Sequence, residues 1–268
     1  MPGDRIQMEA APRDPAKLRN TAFVLIVIAV VGGIIIMAAY LLNLRRQEAS
    51  GRPPHVARLE SNFAAVNHDK TAVGLGSLEG KVWLLTTVCL GQAERSVENI
   101  RVMQAVAAKY PAETDLHFVC LTIDPNNDVP EKMAEFAKGL GLAEEPRWWF
   151  LAAGEEPTRG YLKDKLKFGA ITEQTVDGKV VIGFDSVLGL VDNNRNLRGR
   201  YDFAAARKVQ DETRQALAEH PGELEKLNEE HRAAMEQNRE AVRFLEDHLL
   251  KAMEYVFNEK NGTLPEQP

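Results

Sequence analysis

The chain has 268 residues, with 33 Lys and Arg against 39 Asp and Glu, for a formal net charge of -6 at pH 7. That acidic balance, without a basic patch interleaved with aromatics, excludes general nucleic-acid binding. Two cysteines are too few for a disulfide framework, and the length allows one ordinary domain plus accessory segments.

In chain order, residues 1–20 read as a polar tail. Residues 21–42 (TAFVLIVIAVVGGIIIMAAYLL) are 22 positions without a charge, enough to cross a bilayer as one helix. The apolar region of a cleaved signal peptide is shorter, about 7–15 residues, so an uncleaved anchor is expected. Four basic residues precede the segment (Arg5, Arg13, Lys17, Arg19) and four follow it (Arg45, Arg46, Arg52, Arg58), so charge bias leaves its orientation open. Residues 43–70 read as a charged linker stiffened by the prolines of Gly51-Arg52-Pro53-Pro54.

The globular part is expected at 71–202. Apolar runs and helical spacing predict strands at 82–88, 117–123 and 148–152, helices at 94–110, 130–140 and 156–166, and a hairpin from about 180 to 201. Asp177-Gly178 marks a tight turn in an inserted hairpin. Asp128 reads as the N-cap of the second helix, followed by Pro130 and Glu131 in its first turn. Alternating strands and helices imply an α/β fold with a mostly parallel, covered sheet. Residues 203–268 form a helical extension, with helices at 203–219 and 223–259 broken at His220-Pro221-Gly222. Ala241, Leu245, Leu249, Ala252 and Val256 make one apolar stripe, which either folds back on its own domain or binds a partner.

The chemistry concentrates at Cys89, placed between a strand and a helix. A helix N-terminus favours thiolate over thiol, which is how thioredoxin-like folds present a reactive cysteine. Here Gln92 and Ala93 stand where a second cysteine would be. Thr86 and Cys89 also fit a bare TxxC pattern, and Arg95 is placed to hold a thiolate. Cys120, in an apolar run, reads as a core residue; a Cys89–Cys120 bridge requires the two Cα atoms within about 7 Å. The histidines (His55, His68, His117, His220, His231, His248) show no metal-ligand spacing. Asp124 and Asp128 read as turn and cap, Trp148 and Trp149 as strand residues on opposite faces, and Gly74-Leu75-Gly76 is not a phosphate loop.

Four segments in order resemble one family. KVWLLTTVCLGQAERS (81–96), HFVCLTIDPNNDVPE (117–131), RWWFL (147–151) and LVDNNRNLRGRYD (190–202) are similar to the cysteine loop, DPxxDTPE turn, following strand and final hairpin of the Sco/SenC copper-binding assembly factors. The resemblance spans roughly residues 72–202. It implies a thioredoxin-like domain behind a single anchor in the inner membrane, with the domain on the periplasmic side. It also implies a copper site of two cysteines in CxxxC spacing and a distant histidine, soft ligands that suit copper. Those positions fall on Cys89, Ala93 and Phe184; a shifted alignment puts Asp185 at the third. One thiolate is not a copper site, so no cofactor or metal is expected. The expected function is non-catalytic: an assembly or interaction factor, linked through the resemblance to a respiratory oxidase, with a protein partner met through the C-terminal helices. The alternatives are a redox protein using Cys89 as its single reactive thiol, and a copper site shared with a partner through Cys89. The resemblance stops before the C-terminal helices.

Overall fold

Val82–Val88 (β4) and Leu116–Thr122 (β5) are buried at every position. Strands covered on both faces read as unbroken apolar runs, which is why they stand out in the sequence. The computed structural model describes residues 52–169, 171–176, 179–219 and 229–263. Both the expected 21–42 anchor and the Asp177-Gly178 turn lie outside these residues. Among the described residues no helix is long and apolar enough to cross a membrane.

Around β4 and β5, an eight-stranded sheet runs in the order β1-β10-β9-β4-β5-β6-β2-β3. Its remaining strands are β1 (Ala57–Arg58), β2 (Ala64–Asn67), β3 (Ala72–Gly74), β6 (Trp148–Ala152), β9 (Leu188–Val191) and β10 (Asn196–Tyr201). β4, β5 and β6 are parallel, with Thr86 opposite Cys120 and Cys120 opposite Phe150. β9 and β2 join that trio antiparallel, one on each side. The helices are α1 (Glu94–Lys109), α2 (Pro130–Gly139), α3 (Glu155–Gly160), α4 (Phe203–Glu219), α5 (Glu229–Arg239) and α6 (Ala241–Asn261). This is the thioredoxin-like α/β arrangement expected, followed by C-terminal helices.

Strand alternation sorts the core into two faces. Val82, Leu84, Val88, Phe118, Cys120, Trp148 and Phe150 face α1, α2 and α6. Trp83, Leu85, Cys89, Val119, Leu121 and Leu151 face the other way, against Leu59, Phe63, Leu75, Tyr161, Leu166 and Phe184. Cys89 and Cys120 therefore lie on opposite faces and both are free, which rules out the conceivable bridge between them.

Several boundaries move. The expected 43–70 linker ends earlier, because β1 and β2 belong to the sheet and Leu59 and Phe63 are buried. His68 is buried too, its Nδ1 2.9 Å from Asn67 Oδ1 and its Nε2 3.1 Å from the Ala143 carbonyl. The hairpin expected at 180–201 is two structures: a separate ribbon of β7 (Thr172–Val176) and β8 (Lys179–Gly183), then β9–β10 in the main sheet. The helix expected at 156–166 is the short α3 continued by a wider π turn at Tyr161–Lys165.

The α6 stripe is consumed by the domain itself. Val242, Leu249, Ala252, Met253, Val256 and Phe257 are buried in the core on the α1 side of the sheet. Of the two readings of this stripe, packing on its own domain is the one observed. Gly262 ends α6 at φ 68, a left-handed conformation that glycine adopts without strain. Near that end, buried Arg198 donates from Nη1 to Asp192 Oδ2 (2.9 Å) and Glu259 Oε2 (2.7 Å), and from Nη2 to the Pro53 carbonyl (3.3 Å). One guanidinium thus joins β10, the β9–β10 turn, α6 and the entering chain.

Candidate functional site

β4 stops at Val88 because Cys89 begins a 3-10 turn over Leu90–Gln92 that leads into α1. The Cys89 carbonyl accepts the Gln92 N–H at 2.9 Å. Asp128 Oδ2 holds the loop from outside, accepting the Leu90 N–H at 3.0 Å and the Thr122 hydroxyl at 2.7 Å. Asp128 is therefore not the helix cap it resembled: α2 begins after Val129, without a side-chain cap. Its carboxylate ties the cysteine loop to the end of β5. Asp124 shapes the turn, its carboxylate accepting from Asn127 Nδ2 at 3.0 and 2.9 Å.

Cys89 itself is only 2% exposed, on the face of the sheet shared with Phe184. Burial first, then the Asp128 and Asp124 carboxylates, push its thiol up to about 11, against smaller help from the Gly91 and Gln92 backbone. At neutral pH the sulfur is held as a thiol, the wrong form for a nucleophile. Arg95 does not rescue it. Its Nη2 donates to the Phe184 carbonyl at 2.7 Å, its Nη1 to the Ile182 carbonyl at 3.4 Å, and its guanidinium lies 4.4 Å from the centre of the Phe184 ring. Thr86, the threonine of the TxxC pattern, is fully buried, donating to the Val187 carbonyl (3.2 Å) and accepting from Asn99 Nδ2 (2.9 Å). Its hydroxyl is engaged within the fold on both sides.

The resemblance's third ligand position, Phe184, is 5% exposed, while Ala93 is half-buried. A methyl group, an aromatic ring and a single thiol do not make a copper site, and the cation near Phe184 is a guanidinium. The donor set does not fit the metal. Among the described residues no three His, Cys, Asp or Glu side chains are grouped to hold a metal ion. Asp185 accepts a hydrogen bond from the Thr87 hydroxyl through its backbone carbonyl, at 3.2 Å.

Sequence reading missed a network beside Cys89. Gln92 Nε2 donates to the Ile182 carbonyl (3.0 Å), Asn99 Nδ2 to Ser186 Oγ (3.1 Å), and Ser186 Oγ to the Arg95 carbonyl (2.6 Å). The signal available was polar residues at 92, 95 and 99, one face of a helix start, although nothing local names their partners some 90 positions on. Beyond the Asp124 turn lies a cleft of about 250 Å³ lined by Asp124, Asn126, Glu155, Arg159, Val180 and Ile182. Of the tandem tryptophans, Trp148 is buried against Phe118, 4.5 Å between ring centres, and Trp149 meets His117 edge-on at 5.9 Å. Both pack within the fold and form no exposed platform.

No curated protein matches the chain. Among solved structures, a SCO1/SenC family lipoprotein from Bacillus anthracis is similar at 23% identity, covering 56% of this chain and 86% of that one, with a TM-score of 0.45. BsSco, described as a member of the Sco family of cytochrome c oxidase assembly proteins, is similar at 21% identity, 56% and 86% coverage and a TM-score of 0.46. Copper-bound ScoI of Bradyrhizobium japonicum is similar at 15% identity, 53% and 87% coverage and a TM-score of 0.46. The SCO1/SenC family model matches residues 51–217, more than half of the sequence and the whole span from β1 into α4. The chain belongs to the SCO1/SenC family.

Proposed function

We propose that this protein serves cytochrome oxidase assembly as a protein-binding factor without a copper site of its own. Residues 21–42 hold it in the inner membrane, and the globular part lies on the extracytoplasmic side. Family membership supports the oxidase link, as does the similarity to a structure described as that of an assembly protein. The 22 uncharged residues support the anchor. One observation carries the loss of copper. Of the three positions where the family resemblance puts ligands, only Cys89 bears a donor. Burial and two carboxylates keep the Cys89 sulfur protonated, which speaks against a monothiol enzyme, since the thiolate is the reacting species.

The test is copper(I) loading of the full chain beside its Cys89→Ser variant, with bound metal counted. No copper above background in either protein is expected. Stoichiometric copper that disappears in the variant refutes the reading. In cells lacking the protein, Cys89→Ser is expected to restore oxidase activity as fully as the wild type, and failure of the variant alone returns the function to the thiol.

A further inference from the structure

We propose that Arg95 fastens the start of α1 to residues 182–186 in place of a bridging metal and keeps copper(I) out. This rests on the metal-free reading above and adds a residue to it. A metal in such a site has two effects: it joins the cysteine loop to the distant ligand segment, and it neutralises the polar groups that converge there. Both are supplied here by side chains of the chain itself.

Gln92, Arg95 and Asn99 are spaced three and four apart on one face of the turn and helix. They engage Ile182, Phe184 and Ser186, alternate residues running from the end of β8 into the segment before β9, in that order. Arg95 sits in the middle row with the most contacts. Its guanidinium donates to two carbonyls and lies over the Phe184 ring, and its own carbonyl accepts the Ser186 hydroxyl. Planar guanidinium suits this combination of carbonyl and aromatic partners, whereas a lysine ammonium offers a point charge without the stacking plane. The fixed positive charge and the bulk of the side chain both oppose a second cation beside Phe184. The two donor-free positions and the Arg95 charge therefore act in the same direction.

The test restores the missing donors, with and without the arginine. Full-length Ala93→Cys/Phe184→His is compared with the same protein carrying Arg95→Met, each titrated with copper(I) against a chromogenic chelator. Removing Arg95 is expected to tighten copper binding by about fivefold, the effect of a like charge ~4 Å away in a water-like medium. Equal affinity with and without Arg95 overturns the exclusion. Amide exchange of residues 182–186 is followed in Arg95→Met alone. This variant leaves no unpaired buried charge, because Arg95 is exposed and its partners at Ile182 and Phe184 are neutral carbonyls. Loss of a charged hydrogen-bond donor is expected to speed exchange there about tenfold, with Arg95→Lys between it and wild type. Unchanged exchange overturns the clamp. Wild-type copper loading reports on the metal-free reading separately, so the two can fail independently.

Discussion

Leu249→Ala tests whether the C-terminal extension is part of the domain. Leu249 is fully buried in α6, in the core on the α1 side of the sheet. Truncating a buried leucine removes its transfer free energy and leaves a cavity that the neighbours fill only partly. The expected loss is about 3–4 kcal/mol, a large part of the ~5–15 kcal/mol that stabilises a typical domain. For a domain of this size that corresponds to a fall in Tm of about 6–16 °C. Lys251→Ala, on the exposed side of the same helix, is the control and should stay within about 0.5 kcal/mol. Guanidinium unfolding at matched concentrations reads both: a lower midpoint with an unchanged slope for Leu249→Ala, and no shift for the control. A loss below about 1 kcal/mol would refute the reasoning. The apolar stripe of α6 would then face solvent or a partner instead of the sheet.

Arg198→Met should destabilise by about 3–5 kcal/mol, because it leaves the buried Asp192 carboxylate without its cation, and Asp192→Asn in the same chain should recover part of that in the same unfolding assay. Cys89 alkylation should rise about tenfold per pH unit from pH 7 to 9 without levelling, since the thiol is pushed up to about 11; a plateau below pH 9 would contradict its buried setting. The same shift means that the unfolded chain loses this proton first, so the Cys89 contribution to stability falls as pH rises from 9 towards 11. His117 behaves in the opposite sense. Burial first, then Lys81, lowers it to about 4, and Lys81 Nζ lies 3.2 Å from its Nε2. Between pH 6.5 and about 4 the unfolded chain takes up a proton that the folded chain refuses, so stability drops as pH falls through that window. His117→Gln should flatten the drop in urea midpoints, by up to about 3 kcal/mol.

The sequence by itself determined the frame: strands at 82–88, near 117–123 and at 148–152, the helices after them, and the family. These were legible because a buried parallel strand must be an unbroken apolar run, and a helix must repeat its apolar face every three or four residues. The proposed absence of a copper site was legible for a simpler reason: Ala93 and Phe184, where the resemblance puts ligands, carry no donor atoms. Tertiary structure alone decided what surrounds Cys89. Asp128 looked like a helix cap, since an Asp just before Val-Pro-Glu satisfies the local rule, yet its carboxylate reaches Leu90 and Thr122. Arg95 looked like a partner for the thiolate, being only six residues away, but its donors meet carbonyls 87 and 89 positions along the chain. The stripe on α6 was plain in the sequence, and its destination was not. Periodicity states that a face must be buried, while only the packing of distant segments states against what.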